Sequence, residues 1–235
     1  CDHRLSGVGL ADLVLLPGWL EPMLAAHAQL GASAGLIGNV QLDARTGLVD
    51  HAGLDLTPNA KPVHVRALPS RLSRCFQPVR PMPAVTGACL LVARNLWQSL
   101  GGFDEGYVNG GEDIDLCYRA RAAGRTNAVA LRSVIRHHVS SSPGRKARDE
   151  QNSLRLARRW RQEFAADAIR PWCRAFLAGE PRSREYRLAL ATFAFLAGLP
   201  RTPPPEALRA VEANLARAFV RWQMMFAEDF RAANA

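Results

Sequence analysis

The sequence predicts a mixed α/β domain over residues 1–146 and a helical region over residues 147–235. Short apolar runs alternate with Gly, Pro, Asn and Asp in the first part, whereas apolar residues recur at three- and four-residue spacing in the second. The composition, 48% hydrophobic and 22% charged, is that of an ordinary globular protein. A mainly disordered chain is therefore excluded.

Pro17 and Gly18 interrupt regular secondary structure ahead of the first predicted elements. A helix is expected after these two residues, because apolar positions fall at helical spacing: Leu20, Met23, Leu24, Ala28 and Leu30. Gly31 ends this helix. Residues 35–42 then predict a strand and residues 43–47 a turn. The proline-rich stretch 55–83 predicts a long irregular loop, which in a compact domain is usually a functional flap or a disordered segment.

The next predicted elements alternate strand and helix. Residues 84–93 are short, apolar and partly β-branched, which indicates a buried strand. A short helix is expected over 95–100, a second helix over 112–124 and a strand over about 128–135. Beyond them, helical periodicity predicts three further helices: roughly 147–168, 183–198 and 204–231.

Neither the apolar runs nor the cysteines indicate a membrane-spanning or disulfide-stabilised protein. The longest nearly uninterrupted apolar run, 188–199, has 12 residues, whereas a spanning helix needs roughly 20. The five cysteines form no C-x-x-C pair, which argues against a zinc ribbon or a disulfide scaffold. The first residues lack an initiator Met and a signal peptide's apolar core. We therefore expect a truncated chain. Its expected location is the cytoplasm, with the inner face of the membrane as an alternative.

The basic charge is unevenly distributed. Most of the +9 net charge belongs to residues 145–235, which have 17 basic and 10 acidic side chains. Residues 1–144 have 13 basic and 11 acidic side chains. The excess positive charge of the C-terminal part attracts phosphates, nucleotide-linked substrates, anionic lipid or nucleic acid. Nucleic acid is disfavoured, because the arginines are spread along helical patterns and no known binding motif is present.

The most informative stretch is G-G-F-D-E-G-Y-V-N-G-G-E-D-I-D-L-C-Y-R, residues 101–119. Gly110 and Gly111 permit a sharp turn. Three carboxylates then fall in the first turn of the predicted helix: Glu112, Asp113 and Asp115. The positive end of the helix dipole stabilises each such anion by about 0.3–1 kcal/mol. One of them could act as a general base on an acceptor hydroxyl. The alternative is that they are ordinary helix-terminal charges, with Asp115 paired to Arg119.

Several linked motifs resemble the acceptor-side half of family 2 glycosyltransferases of the GT-A fold. They are V-T-G-A-C-L-L-V-A-R, L-G-G-F-D-E, N-G-G-E-D-I-D-L-C-Y-R-A-R-A-A-G and V-I-R-H-H-V-S-S-S, together with L-P-G-W-L-E at 16–21 and D-H-A-G at 50–53. The resemblance covers about residues 12–165. It implies an inverting, usually metal-requiring enzyme that uses a nucleotide sugar. Many relatives act on bacterial surface polysaccharides, some as rhamnosyltransferases.

The resemblance also implies roles for particular residues. Asp113 would deprotonate the acceptor hydroxyl, and Glu112 would contact the acceptor beside the Gly110–Gly111 turn. Asp115 would be structural. Thr86 and Gly87 would line the donor sugar's side of the cleft, where a residue without a side chain permits close approach.

Further roles concern the metal and the diphosphate. His137 matches the position of a metal-binding imidazole, and Arg145 belongs to a segment that closes on the diphosphate. Only one of the two neighbouring histidines can face the cleft, because successive strand residues point to opposite faces. We assign that place to His137 rather than His138.

The sequence also departs from the family pattern. The nucleotide-binding strands that normally come first are missing, so the resemblance implies a partial nucleotide-diphospho-sugar transferase-like domain. Asp12 occupies the last position of the acidic metal motif, but Leu10 stands where its first acid would be. Hard divalent cations prefer several oxygen ligands. Binding of Mn²⁺ or Mg²⁺ through Asp12 and His137 is therefore expected to be weak or absent.

These departures leave alternatives open. The leading prediction is a truncated inverting glycosyltransferase with a glycan or lipid-linked acceptor, and residues 1–235 alone are expected not to transfer sugar. The first alternative is a non-catalytic remnant that binds another chain or a second copy through its C-terminal helices. The second is an arginine-rich module that binds anions. The apolar run 188–199, flanked by Arg187 and Arg201, could also lie on an anionic membrane surface.

Overall fold

The computed structural model describes residues 5–9, 12–57, 61–108, 110–138, 148–164 and 167. The chain divides into two units, Cys1–Asp55 with Val63–Asn152, and Leu56–Pro62 with Ser153–Ala235. The helices predicted over 183–198 and 204–231 lie outside the described residues. The predicted boundary after residue 146 remains a prediction.

The first unit has the mixed α/β architecture that the sequence predicts. The described strands are β1 (Leu5–Gly9), β2 (Leu13–Leu15), β3 (Ala34–Asp43), β4 (Val49–His51), β5 (Leu54–Leu56), β6 (Pro62–His64), β7 (Val79–Pro81), β8 (Cys89–Ala93) and β9 (Thr126–His137). The described helices are α1 (Glu21–Leu30), α2 (Arg71–Phe76), α3 (Arg94–Leu100), α4 (Glu112–Ala122) and α5 (Asp149–Arg159). None of them is long and apolar enough to cross a bilayer.

Seven strands form one sheet. Its order is β1-β8-β3-β9-β2, with β4 added to β3 and β7 added to β9. The central pair, β3 and β9, is parallel, and its partners run antiparallel to it. Strands β5 and β6 form a separate two-stranded sheet. The parallel pair brings the carboxyl ends of β3 and β9 together, with Asp43 opposite His137.

Helices cover both faces of the central strands. On one face, α1 packs on an apolar cluster: Met23, Ala26, Ile37, Leu91, Ala128 and Ala130. Asn127, the residue before Ala128 on β9, points to the other face. There the Asn127 amide donates to the Cys117 carbonyl of α4 at 2.9 Å and its Oδ1 accepts from the Leu36 N–H at 3.0 Å. A Cβ atom at Gly35 would lie 2.6 Å from Asn127 Oδ1, so position 35 requires glycine beside the Asn127 side-chain amide.

Most predicted elements of the first unit are confirmed, with shifted ends. Helix α1 ends at Gly31, whose φ of 55° lies in the left-handed region. The strand predicted over 84–93 is shorter, because residues 87 and 88 form a turn before β8 begins. Strand β9 is longer than predicted and reaches His137, since its last residues pair with both β2 and β3.

The prediction of an irregular loop over 55–83 is wrong. The stretch contains β5, β6, α2 and β7. Its prolines do not prevent this, because Pro62 begins a strand and Pro81 ends one, where a missing N–H removes little of the ladder. Ser70 caps α2 by accepting from the Ser73 N–H at 3.1 Å.

Candidate active site

The turn before α4 needs glycine at two successive positions. Gly110 and Gly111 have φ values of 139° and 100°, which side-chain-bearing residues rarely adopt. The turn lets the Glu112 carboxylate reach back and accept from the Gly110 N–H at 3.0 Å. The sharp turn that the sequence predicts here is confirmed, and it places three acidic residues in the first turn of the helix.

Backbone groups hold the Asp113 carboxylate from two sides. Its Oδ2 accepts from the Gly87 N–H at 2.7 Å, and its Oδ1 accepts from the Ile114 N–H at 2.8 Å. A Cβ atom at Gly87 would lie 3.1 Å from Asp113 Cβ. The close approach that glycine permits at position 87 is therefore made by Asp113. The side chain is half-buried, so the oriented carboxylate stays within reach of solvent.

Thr86 lies next to this contact but is largely buried. Its hydroxyl accepts a long hydrogen bond from the Ala88 N–H at 3.4 Å, within the turn that leads into β8. The Thr86 side chain is therefore placed beside the residue that holds Asp113. Its predicted contact with a donor sugar remains a prediction.

Asp115 belongs to the structural core of α4. It is fully buried, and Arg119 Nε donates to its Oδ2 at 2.8 Å, which confirms the pairing expected from the four-residue spacing. The same guanidinium donates to the carbonyls of Leu100 and of Gly102, the latter at 2.7 Å. Arg119 thereby ties the L-G-G segment after α3 to the helix that carries Asp113.

Asp12 and His137 meet at the end of β9. His137 Nε2 lies 3.3 Å from Asp12 Oδ2, and its ring is almost completely buried. The backbone holds the two together, because β2 begins at Leu13 opposite His137 and the His138 N–H donates to the Asp12 carbonyl at 3.0 Å. The His138 side chain is exposed. Of the two histidines, His137 is the one that faces Asp12.

The sequence assigned no role to His51, which the structure places in this region. His51 is 0% exposed, and neither ring nitrogen makes a hydrogen bond. It pairs across β4 and β3 with Gln41, and its ring meets the edge of the His64 ring at 4.9 Å. Burial, and then the nearby His64 and His137, hold the pKa of His51 well below its usual range. The only sequence signal was its place in the D-H-A-G motif.

The side chains at the end of β9 are of types that bind a divalent cation, but there are too few of them for a complete site. Asp12 supplies a carboxylate oxygen, and the buried His137 ring supplies an imidazole nitrogen that makes no hydrogen bond. In the part of the chain that the structure describes, no group of three or more His, Cys, Asp or Glu could hold a metal ion. Arg145, the predicted diphosphate contact, lies outside the described residues.

Comparisons with known proteins assign part of the chain to a family. Residues 72–162, which include Gly87 and Asp113, match a family model described as glycosyltransferase-like family 2. The predicted resemblance to family 2 glycosyltransferases is therefore confirmed for this part of the chain.

Three curated relatives are similar to parts of the chain. The N-acetylglucosaminyl-diphospho-decaprenol L-rhamnosyltransferase of Mycobacterium tuberculosis is 35% identical over 96 residues, which cover 41% of this chain and 30% of the relative. The O-antigen biosynthesis protein RfbC of Myxococcus xanthus is 31% identical over 164 residues, which cover 68% of this chain and 12% of the relative. The uncharacterized protein y4gI of Sinorhizobium fredii is 31% identical over 170 residues, which cover 67% of this chain and 18% of the relative. The chain thus matches less than a third of the length of each relative.

A solved structure shares the fold. The crystal structure of GalNAc-T7 with UDP, GalNAc and Mn²⁺ matches with a TM-score of 0.50 and 17% identity, covering 75% of this chain and 37% of that one. At 17% identity this likeness concerns the fold alone, and it supports the predicted α/β fold class.

Proposed function

We propose that this chain supplies the acceptor and catalytic-base half of a family 2 glycosyltransferase. The reaction is transfer of a sugar, with inversion, from a nucleoside diphosphate sugar to a hydroxyl of a polysaccharide or glycolipid. One observation carries the proposal: Asp113, inside the family-matched segment, is held by the Gly87 N–H at 2.7 Å at the beginning of a helix. Sugar transfer in general is supported by the relatives and by the shared fold.

Asp113 is the base in this mechanism. The N-terminus of α4 stabilises its ionised form, and two backbone N–H groups fix its orientation. The acceptor hydroxyl gives its proton to Asp113 as its oxygen bonds to the anomeric carbon. The bond from that carbon to the diphosphate oxygen breaks on the opposite side, so the configuration inverts. Glu112 contacts the acceptor beside the glycine turn.

The leaving diphosphate requires positive charge. Asp12 and His137 would hold Mn²⁺ or Mg²⁺, which when bound neutralises charge on the diphosphate. Two ligands from the described residues favour weak binding, in line with Leu10 in place of the first acid of the motif. Arg145, which the family resemblance assigns to the diphosphate, would add positive charge to the same leaving group.

The relatives guide the choice of substrates to test. One is named as a rhamnosyltransferase acting on a decaprenol-linked diphosphosugar and another as an O-antigen biosynthesis protein. We infer a donor such as a rhamnosyl nucleotide and an acceptor in cell-envelope polysaccharide synthesis. A cytoplasmic location at the membrane face fits a lipid-linked acceptor. The helices that the sequence predicts beyond residue 147 would supply contacts to a second copy or to another partner.

The decisive experiment is product analysis with a form of the protein that includes a nucleotide-binding half. Uridine and deoxythymidine diphosphate sugars are offered with lipid-linked and free glycan acceptors, and the anomeric configuration of the product is read by NMR. Inverted product formed only with Asp113 intact supports the proposal. Product with retained configuration contradicts the mechanism. Absence of transfer and of nucleotide binding favours the non-catalytic alternative.

A further inference from the structure

A buried asparagine near the beginning of α5 contacts the segment that leads into the candidate site. Asn152 is 6% exposed, and its side-chain amide donates to the Val108 carbonyl at 2.8 Å, across 44 positions of sequence. Both residues belong to the first unit and to the part of the chain that matches the family model. The contact therefore anchors the chain shortly before the turn at Gly110.

The type of residue at position 152 points to this hydrogen bond. Asparagine is a weaker helix former than leucine, which has a similar shape. A buried amide also costs stability unless it is paired. The asparagine inside α5 is therefore explained by the carbonyl that its amide reaches in another segment.

The anchored segment is also fixed at its other end. Arg119 of α4 donates to the Gly102 carbonyl at 2.7 Å. Between the two anchors, the Asp104 carboxylate accepts from the Gly106 N–H at 2.8 Å and closes a turn. The segment is thus held at both ends, and Asn152 sets the position of the end that enters the glycine turn.

The two acids that follow this turn are held by different groups. Glu112 Oε2 accepts from the Gly110 N–H at 3.0 Å, so its carboxylate is bonded to the chain that Asn152 anchors. Asp113 Oδ2 accepts from the Gly87 N–H at 2.7 Å, which belongs to the turn before β8. A displacement of the anchored chain would therefore move the Glu112 carboxylate more than that of Asp113.

We propose that Asn152 is a positioning residue for the acceptor, which acts by holding Glu112 in place. The proposal rests on the proposed function, in which Glu112 contacts the acceptor and Asp113 takes its proton. Loss of the contact with Val108 would then weaken acceptor binding, while the base and the binding of the donor stay as they are. Substrate positioning is sensitive to displacements on the order of 1 Å.

The first test needs no turnover and uses the whole chain, isotopically labelled for NMR. The Gly110 N–H is bonded to the Glu112 carboxylate, so its signal should shift as that carboxylate titrates between about pH 3 and 6. In N152L the amplitude of this shift should fall below about half, because release of the Val108 carbonyl loosens the geometry of the bond. The Gly87 N–H, bonded to Asp113, should keep its amplitude.

Matched variants assign these signals and separate the contact from its surroundings. E112Q should abolish the shift of the Gly110 signal, and D113N that of the Gly87 signal. Q151L makes the same change from amide to leucine at the exposed neighbouring residue and should leave both shifts unchanged. N152A, with Q151A as its control, removes the amide without adding apolar bulk and replaces N152L if leucine prevents folding.

The second test measures transfer by a form of the protein that includes a nucleotide-binding half. N152L should raise KM for the acceptor about fivefold, which corresponds to one neutral hydrogen bond, with kcat and KM for the donor within about twofold of the parent. In an E112Q background the same change should not raise KM for the acceptor further. A merely structural role would lower the amount of active protein without changing either KM.

Three results contradict the proposal. One is a Gly110 signal that does not shift in the parent, or that shifts equally in N152L and N152A. Another is an equal loss of the Gly110 and Gly87 shifts, which would make Asn152 a general stabiliser of the fold. The third is an unchanged KM for the acceptor in N152L. Absence of transfer by the parent would refute the proposed function, and the Gly110 signal would still decide whether Asn152 holds Glu112.

Discussion

The start of α4 and the end of β9 hold the two groups of candidate site residues. The two groups differ in how their polar side chains are hydrogen-bonded. Around α4, Asp113 and Asp115 each accept hydrogen bonds at 2.7–2.8 Å from groups in other segments or one turn away. Near the end of β9, His51 and His137 are buried, yet none of their ring nitrogens makes a hydrogen bond.

This difference shows what each region contributes. Buried polar atoms in proteins are nearly always paired, and exceptions need an explanation such as a functional role. The α4 region stabilises the fold and orients Asp113 with its own hydrogen bonds. The β9 region buries imidazoles that make no hydrogen bond, which we expect to cost stability and which is typical of groups retained for binding. Four substitutions test this comparison.

The largest effect is expected for Arg119→Met. This change leaves Asp115 fully buried without its cation and should lower the free energy of unfolding by about 3–5 kcal/mol, measured by urea denaturation. Arg132→Met removes an exposed arginine and should change it by less than about 0.5 kcal/mol. If the two variants were equally stable, Arg119 would not be the link that holds α4. Should Arg119→Met fail to fold, Arg119→Lys, which retains the charge, gives the smaller and measurable loss.

The next effect is expected for Asp113→Asn in an active form of the enzyme. Loss of a general base should lower kcat at least about 10²-fold with little change in KM or in folding. Glu105→Gln, an exposed acidic residue outside the site, is the control. Near-normal turnover would move the role of base to Glu112, since Asp115 is fully buried.

A smaller effect on turnover is expected for Gly87→Ala. The new Cβ would lie 3.1 Å from Asp113 Cβ, so the carboxylate must shift by a few tenths of an ångström. We expect kcat to fall about tenfold, since catalysis is sensitive to such displacements. In the Asp113→Asn background the same change should have almost no further effect. Additive losses would mean that Gly87 acts independently of Asp113.

The smallest effect, and one of opposite sign, is expected for His51→Leu. Replacing a buried imidazole that makes no hydrogen bond should raise the free energy of unfolding by about 1 kcal/mol in the presence of a chelator. The pKa of His51 is lowered in the folded state, so unfolding takes up a proton and the parent loses stability as the pH falls below about 6.5. The gain from His51→Leu should therefore grow between neutral and acidic pH. A destabilised variant would show that His51 has partners in solution.

Local spacing was sufficient to predict several elements. Helix α1, the turn at Gly110 and Gly111 and the pairing of Asp115 with Arg119 depend on neighbours within four residues along the chain. The stretch 55–83 was misjudged because β7 is stabilised by pairing with β9, a partner distant in sequence. A short strand of this kind has no periodic signal of its own.

The candidate site likewise has residues that local motifs identify and contacts that only distant segments make. The motifs identified Asp113, Asp12 and His137, and the structure places the last two 3.3 Å apart. The role of Gly87 in holding Asp113 spans 26 positions of sequence, and a pattern cannot show which atom will approach a glycine. His51 was missed because one histidine in a motif carries no information about its burial.

Propensity, periodicity and short motifs are local properties, so they were enough to predict the alternation of strands and helices, the acidic first turn of α4 and the family resemblance. The tertiary structure sets which side chains are buried together. It brought Asp12 to His137, Gly87 to Asp113 and Arg119 to the carbonyls of another segment. These contacts depend on strand register and on packing between distant segments, where a shift of one residue would turn each strand side chain to the opposite face of the sheet.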